Sequence, residues 1–304
     1  MTAAKQGDLF ARVMAIKEKA MQNKERQALI DAEAEQARAK AEAAKVIKLP
    51  IWPEAIRAVP NGFLRSALFG AIKKGSRPYL ERAEIHAQDG IQIRYTGARL
   101  DQGDLDVWET ILHIVRDQAL GNECRVNAYQ ILKLWGKTDT GKNRDTLDRR
   151  LSRMKATALD VSVGKYSYEG SLIDEVYRDK ETKEYVIFLN PKLKALFEPD
   201  QFTQIQWNIR RSLDGQPLAQ WLYSFFSSHA QPHPIKIETL YKLCGSEAGE
   251  LWKFTQNLRR ALEAVVQVCK EGNEYFSFEI ENGLVVIKRQ PTKSQKKHLS
   301  IKNH

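Results

Sequence analysis

Residues 127–135 read NAYQILKLW, residues 136–141 read GKTDTG, and residues 142–158 read KNRDTLDRRLSRMKATA. The order is a short amphipathic helix, a turn bounded by glycines, and a longer helix carrying Lys and Arg, with strand-forming sequence following to residue 189. The plan recurs between residues 237 and 288. There IETLYKL (237–243) is followed by CGS (244–246), a long helical stretch over 247–271, and a second strand pair. A short helix, a tight turn and a long basic helix ahead of a strand pair outline a winged helix. Two such outlines predict an α+β chain of two tandem winged-helix domains with a helical N-terminal extension. A helix-turn-helix lays its second helix in the major groove, where the four base pairs present distinguishable edges.

Bulk properties agree with an anionic partner. The 304 residues hold 48 Lys+Arg against 38 Asp+Glu, a formal charge of +10, which favours nucleic acid first and a membrane surface second. The three cysteines, Cys124, Cys244 and Cys269, are too few and too far apart for a disulfide framework. No run approaches the roughly 18 apolar residues of a membrane span, and the N-terminus lacks the apolar core of a secretory signal. A soluble, cytoplasmic protein with no membrane partner is expected.

Domain boundaries follow from composition. Residues 1–49 contain one aromatic residue, Phe10, and many Ala, Glu, Lys and Gln, with no Gly or Pro from Leu9 to Lys45. They form a helical or flexible arm without its own core. Pro50 and Pro53 flank Trp52 and open the globular part. The first winged-helix domain is placed at 50–198, the second at 199–289, and a basic tail at 290–304. The terminal stretch 288–304 has six Lys/Arg and no acid and is read as too polar to pack. Within the first domain, strands are expected at 85–87 and 91–95 around Asp89-Gly90, a helix at 104–120, and strands at 159–163, 171–177 and 184–189. In the second, 202–209 alternates as a strand, and 217–228 reads as an inward-facing helix.

Helix geometry nominates the DNA contacts. With Leu147, Leu151, Met154 and Ala158 toward the core, Lys142, Asp145, Arg149, Ser152 and Arg153 project outward at about 100° per residue. Lys142, Asn143 and Arg144 stand at the helix start, where backbone amides favour phosphate. Lys165, Tyr166 and Tyr168, between Gly164 and Gly170, make a basic-aromatic wing tip. On the second long helix, Leu251, Phe254, Leu258, Leu262 and Val265 form the inward stripe, leaving Lys253, Gln256, Asn257 and Arg260 outside. Arg pairs bidentately with guanine and Gln or Asn with adenine. A solvated charged face with no ligand is the competing reading for either helix taken alone, and the matching order of the two weakens it.

Catalytic readings are weaker. Residues 136–143, GKTDTGKN, nearly match the phosphate loop GxxxxGK[ST], and Leu172-Ile173-Asp174-Glu175 resembles a magnesium-holding strand. Asn143 replaces the hydroxyl residue that binds the metal, and the preceding segment has helical spacing. His229, His233 and Cys244 lack the spacing of a zinc site, and no His-x-His pair or Ser/His/Asp elbow is present. The chain is therefore expected to be non-enzymatic and to need no cofactor.

Six blocks carry a family resemblance: RAVPN (57–61), RSALF (65–69), IRYTG (93–97), LSRMKATA (151–158), YSFFSSH (223–229) and LCGS (243–246). Their order over about residues 50–288 resembles the TrfA family of plasmid replication initiators. The resemblance implies binding to repeated origin sequences (iterons) in duplex DNA and opening of an adjacent AT-rich region, with contact to its single strands. It also implies recruitment of host DnaA, the replicative helicase and the sliding clamp, with monomers as the binding form and dimers limiting copy number. A clamp-binding Gln-Leu-Ser-Leu-Phe of the family is missing before the Trp-Pro entry. Gln6-Gly7-Asp8-Leu9-Phe10 is similar, which nominates Gln6, Leu9 and Phe10 for the clamp. A winged-helix transcriptional repressor or copy-number regulator, without origin opening, is the alternative reading.

Overall fold

The structure is a computed structural model; it describes residues 47–302 except 74, 76, 180 and 183, together with 21, 23, 24, 26–28, 31 and 32. Residues 1–46 and 47–304 are separate compact units. The described residues of the first are helical and exposed. Gln6, Leu9 and Phe10 lie outside the described residues.

In the second unit, strand β1 (Ile56–Pro60) and helix α1 (Asn61–Leu64) lead to the short strand β2 (Phe69–Gly70), then β3 (Tyr79–Glu84), β4 (Ile91–Ala98) and β5 (Leu100–Asp101). Helix α2 (Gln102–Val115) follows, then β6 (Cys124–Val126), α3 (Ala128–Trp135) and α4 (Gly141–Lys155). Next come β7 (Ala158–Val163), β8 (Tyr166–Gly170), β9 (Glu175–Arg178), β10 (Tyr185–Phe188) and a 3-10 turn, Pro191–Phe197. The remainder runs β11 (Phe202–Gln206), α5 (Trp207–Ser212), α6 (Pro217–Ser227), β12 (Ile235–Lys236), α7 (Ile237–Leu243), α8 (Leu251–Glu271), β13 (Phe276–Glu281), β14 (Leu284–Arg289) and α9 (Lys293–Lys302).

One connectivity appears twice. Helix α2, strand β6, helices α3 and α4, then, after the intervening β7–β8 hairpin, β9 and β10 give a sheet of order β6-β10-β9. Helix α6, strand β12, helices α7 and α8, then β13 and β14 give a sheet of order β12-β14-β13. All these pairings are antiparallel. The halves share one continuous apolar core and a two-stranded sheet in which β1 pairs β11, with Ala58 opposite Gln204.

Local sequence explains the helix ends. Asp101 and Asp104 form a reciprocal capping box on α2, so the helix starts at Gln102 and not at 104. It stops at Val115, short of the expected residue 120. Asn127 and Gln130 do the same for α3, and Gly136 ends it at φ 84°, a left-handed conformation that suits glycine. Helix α8 begins at Leu251, because Glu250 is extended (φ −135°, ψ 140°), so residues 247–250 belong to the turn.

Other expectations change. Residues 85–87 are not a strand of their own. The strand before the Gly90 turn is β3, which is bulged between Leu80 and Ala83 where Arg82 has φ 45°. Residues 172–174 form a bend, and β9 starts at Glu175. The alternation over 202–209 breaks after Gln206. Trp207 donates its N–H to the Ala55 carbonyl (2.9 Å) and opens α5, which sends Ile209 and Arg210 inward. The basic tail also packs in part. Gln295 on α9 donates to the Ser227 carbonyl (2.8 Å), and Arg289 donates to the His229 carbonyl (3.0 Å). Polar side chains that find carbonyls at a helix end pack despite their polarity. Among the described residues, no helix is long and apolar enough to cross a membrane.

Candidate nucleic-acid interface

Helix α4 buries Leu147, Arg150, Leu151 and Met154. Its exposed face carries Lys142, Asp145, Arg149, Ser152 and Lys155. The helix docks on the β6-β10-β9 sheet through the Tyr185 hydroxyl, which donates to Asp148. At the start of α4, Thr140 accepts from the Asn143 N–H (3.3 Å), and the Asn143 amide donates to the Thr138 carbonyl (2.8 Å). Arg144 makes a two-pronged pair with Asp139 (2.6 and 2.7 Å), which holds the Asp139 carboxyl below its ordinary range. Lys142 thus extends from this turn unencumbered by it, while Asn143 and Arg144 shape the turn.

Three nominated contacts are placed differently from expectation. Arg153 does not project outward: its guanidinium lies 2.7 Å from both oxygens of buried Asp104. It sits about 120° from Leu147 on the helix wheel, on the flank of the core stripe, and its long stem reaches back to the carboxylate. Lys165 and Tyr166 lie on the β7–β8 hairpin, which belongs to the four-stranded sheet β3-β4-β7-β8 and not to the sheet beside α4. Lys165 stands 5.3 Å from the Tyr166 ring, and Tyr168 is buried. The hairpin paired with β6 is β9–β10. In its turn, residues 179–184, the Asp179 carboxylate accepts the N–H groups of Glu181 (2.8 Å) and Thr182 (3.0 Å) and stays below its ordinary pKa.

Arg150 is a buried residue that helix spacing alone does not single out. It is one residue from exposed Arg149, yet its guanidinium lies 2.6 Å from Asp101 and 2.7 Å from Asp104. Arg77 completes the pocket on Asp101. Burial alone would raise the Asp101 pKa, but Arg150 and Arg77 outweigh it and leave the carboxyl below its usual value. A Cβ at Gly103 would press on the Arg150 guanidinium and make it shift from its carboxylate partners. The available signal was the series Asp101, Asp104, Asp106, Glu109 on an otherwise apolar helix: buried acids need cationic partners.

Helix α8 buries Phe254, Leu258, Ala261, Leu262, Val265 and Cys269. Lys253, Gln256, Asn257 and Arg260 are exposed along the opposite face, as expected, and so is Arg259; Leu251, expected in the inward stripe, is exposed as well. The two helix-helix turns are held reciprocally. The turn before α4 is gripped from the second half: Lys137 pairs with Asp214, and the Trp207 indole donates to the Leu134 carbonyl (3.0 Å). The turn before α8 is gripped from the first half: Arg99 pairs with Glu247 (2.9 Å), and the Ala71 N–H donates to the Cys244 carbonyl (2.7 Å). The exposed faces of α4 and α8 are therefore fixed to one another through the body of the protein.

Residues 136–143 follow helix α3 and not a strand, which removes the setting a phosphate loop needs. His229 is likewise structural. Its ring bridges the Phe225 carbonyl (2.8 Å) and Gln88 (2.9 Å), and burial beside Arg65 depresses its pKa to about 4.

The family model described as TrfA protein matches residues 11–285. The chain belongs to the TrfA family. Plasmid replication initiator protein TrfA of Escherichia coli is 29% identical over 220 residues, which cover 70% of this chain and 57% of that relative. The chain thus spans a little over half of that relative's length. RepFIB replication protein A of Salmonella typhi is 24% identical over 200 residues, 62% of this chain and 61% of that protein. Among solved structures, domains 2 and 3 of RctB align over 77% of this chain and 98% of theirs, with TM-score 0.54 and 15% identity. That similarity is one of fold. Within the TrfA family blocks, several side chains join the two halves. The Arg65 guanidinium meets the Ser228 hydroxyl (2.9 Å), Asn61 binds the Asp200 carbonyl (2.8 Å) and Thr203 (2.6 Å), and Trp221 donates to the Ser66 carbonyl (3.1 Å).

Proposed function

We propose that this TrfA-family chain initiates plasmid replication by binding origin iterons in duplex DNA through two winged-helix units, residues 50–198 and 199–289. Helices α4 and α8 enter successive stretches of major groove, and the β9–β10 and β13–β14 hairpins lie along the backbone as wings. The observation that carries this reading is the repeated connectivity, each copy presenting a long helix whose outer face bears Arg, Lys, Ser, Gln and Asn. Lys142, Arg149 and Ser152 are the contacts of the first unit, and Lys253, Gln256, Asn257 and Arg260 those of the second. A net charge of +10 adds a sequence-independent phosphate term that weakens with salt. Binding as a monomer, opening of the adjacent AT-rich region, and recruitment of host DnaA, helicase and clamp complete the proposal, and the protein acts in the cytoplasm without chemistry or cofactor of its own.

Footprinting on the plasmid's own origin, followed by permanganate probing with host factors present, tests it. Protected repeats beside permanganate-sensitive thymines are expected. Protection without sensitivity would make the chain a repressor or copy-number regulator. Arg149→Ala and Arg260→Ala are each expected to weaken specific binding by about 1–3 kcal/mol, the value of a lost bidentate base contact. Unchanged affinity in both would overturn the assignment of the two faces. For the clamp, the double change Leu9→Ala with Phe10→Ala is expected to abolish pull-down by the sliding clamp and leave iteron binding intact. Retained pull-down would remove Gln6, Leu9 and Phe10 from the contact.

A further inference from the structure

Five of the six tryptophans, Trp52, Trp108, Trp135, Trp207 and Trp221, are at most 6% exposed; Trp252 is 58% exposed. It stands on the first turn of α8 beside Leu251, itself 39% exposed, outside the buried stripe that starts at Phe254. Leaving an indole in water forgoes the burial that the other five achieve, so an exposed Trp-Leu pair on a functional helix marks a contact surface. Its surroundings identify the partner. Lys253 holds its ammonium 5.3 Å from the Trp252 ring, and Gln256 and Arg260 continue from Trp252 at successive steps of four residues, all exposed. The Thr255 hydroxyl is turned back to the Leu251 carbonyl (2.9 Å), so the Trp252-Leu251 pair is the apolar part of a face otherwise carrying Lys253, Gln256 and Arg260. A partner that matches must be anionic and carry apolar points within its recognition surface. Duplex DNA does so through the thymine C5-methyl, the apolar group of the major-groove code.

We propose that Trp252, with Leu251 beside it, reads thymine methyl groups in the major groove and so sets a thymine preference in the repeat bound by α8. The proposal rests on the reading of α8 as a recognition helix. N-terminal residues of such a helix are those that meet base edges, and Trp252 holds that position. The indole packs on the methyl, Lys253 turns its charge to the flanking phosphate, and Gln256 and Arg260 read the next base pairs.

The test uses a duplex that the full-length protein selects from a random pool, with each thymine in turn replaced by deoxyuridine, which lacks only the methyl. Wild-type protein should lose about fourfold in affinity at one or two positions, the effect of one methyl-sized apolar group. Trp252→Ala should bind the thymine duplex about tenfold more weakly and make no distinction between thymine and uracil at those positions. Trp252→Phe should keep part of the distinction, whereas Arg260→Ala should bind more weakly with the thymine-to-uracil ratio unchanged. A Trp252→Ala protein with wild-type affinity, or with the wild-type ratio, would overturn the inference and turn the patch into a protein-docking surface. If wild-type protein selects no duplex at all, the DNA reading of α8 fails at that earlier step, and the inference fails with it.

Discussion

Arg210→Ala is expected to lower folding stability by about 3–5 kcal/mol, because removing one partner strands buried charges without compensation. Arg210 on α5 is fully buried. Its Nε lies 2.8 Å from Asp106 and 3.5 Å from Glu109 on α2, and it also binds Ser224 (2.7 Å) and Gln102 (3.1 Å). One side chain thus ties the second half to the helix that opens the first repeat. The loss should depend on pH. Burial, opposed by Arg210, raises the Glu109 pKa to about 7, and burial also raises that of Asp106. Groups whose folded pKa is raised above the unfolded value favour folding at low pH and oppose it as pH rises through the folded pKa. Without Arg210 both carboxyls move higher still, so the deficit should be largest above pH 7 and shrink toward pH 4. Denaturant melts of wild type and variant across that range provide the measurement. Adding Asp106→Asn and Glu109→Gln to Arg210→Ala should recover much of the loss. A deficit independent of pH and unrelieved by the neutral pair would show that packing, not charge, is what Arg210 provides.

What was legible in the sequence was what is local. The α3–turn–α4 segment is written in Asn127, Gln130 and Gly136, whose capping roles need only neighbours three or four residues away. The inward stripe of α8 is equally local, since Phe254, Leu258, Leu262 and Val265 repeat at helical spacing. The sheet that the β7–β8 hairpin joins was not legible, because strand partners are not local. The β7–β8 hairpin has a glycine at its turn and a basic-aromatic tip, but β7 pairs with β4, some 65 residues earlier, with Ile93 opposite Val161. Nothing within residues 158–170 distinguishes that partner from β6. Trp207 and Ile209 keep a two-residue alternation, and only the hydrogen bond to Ala55 converts the stretch into helix. Arg210, Arg150 and Arg153 were hidden by a general habit: arginine is read as surface, and three are committed to acids inside. The family blocks stand apart from the exposed faces of α4 and α8 in large part. Several of their side chains hold the two halves together, so recognising them revealed the architecture and left the contacts to helix geometry.

The second large effect separates two adjacent arginines on α4. Arg150→Ala should cost about 3–5 kcal/mol of stability, since Asp101 and Asp104 would remain buried with only Arg77 and Arg153 against them. Arg149→Ala, one residue away on the exposed face, should leave the melting transition within about 0.5 kcal/mol of wild type and act on DNA binding alone. Gly103→Ala should reproduce the Arg150 phenotype from the opposite side, because the added methyl enters the space of the same guanidinium. Arg150 also bears on function through position. Its guanidinium lies 5.7 Å from the Trp135 ring, so the side chain bridges α3, α4 and the capping acids of α2 and thereby sets the angle at which α4 leaves the turn. In conditions where the Arg150→Ala protein is still folded, affinity for the repeat should fall while the salt slope stays that of wild type, because no phosphate contact has been deleted. Calorimetry and salt titration of the three variants decide the matter. Equal melting temperatures for Arg149→Ala and Arg150→Ala, or a salt slope lowered only in Arg150→Ala, would mean that the helix presents the other arginine to DNA.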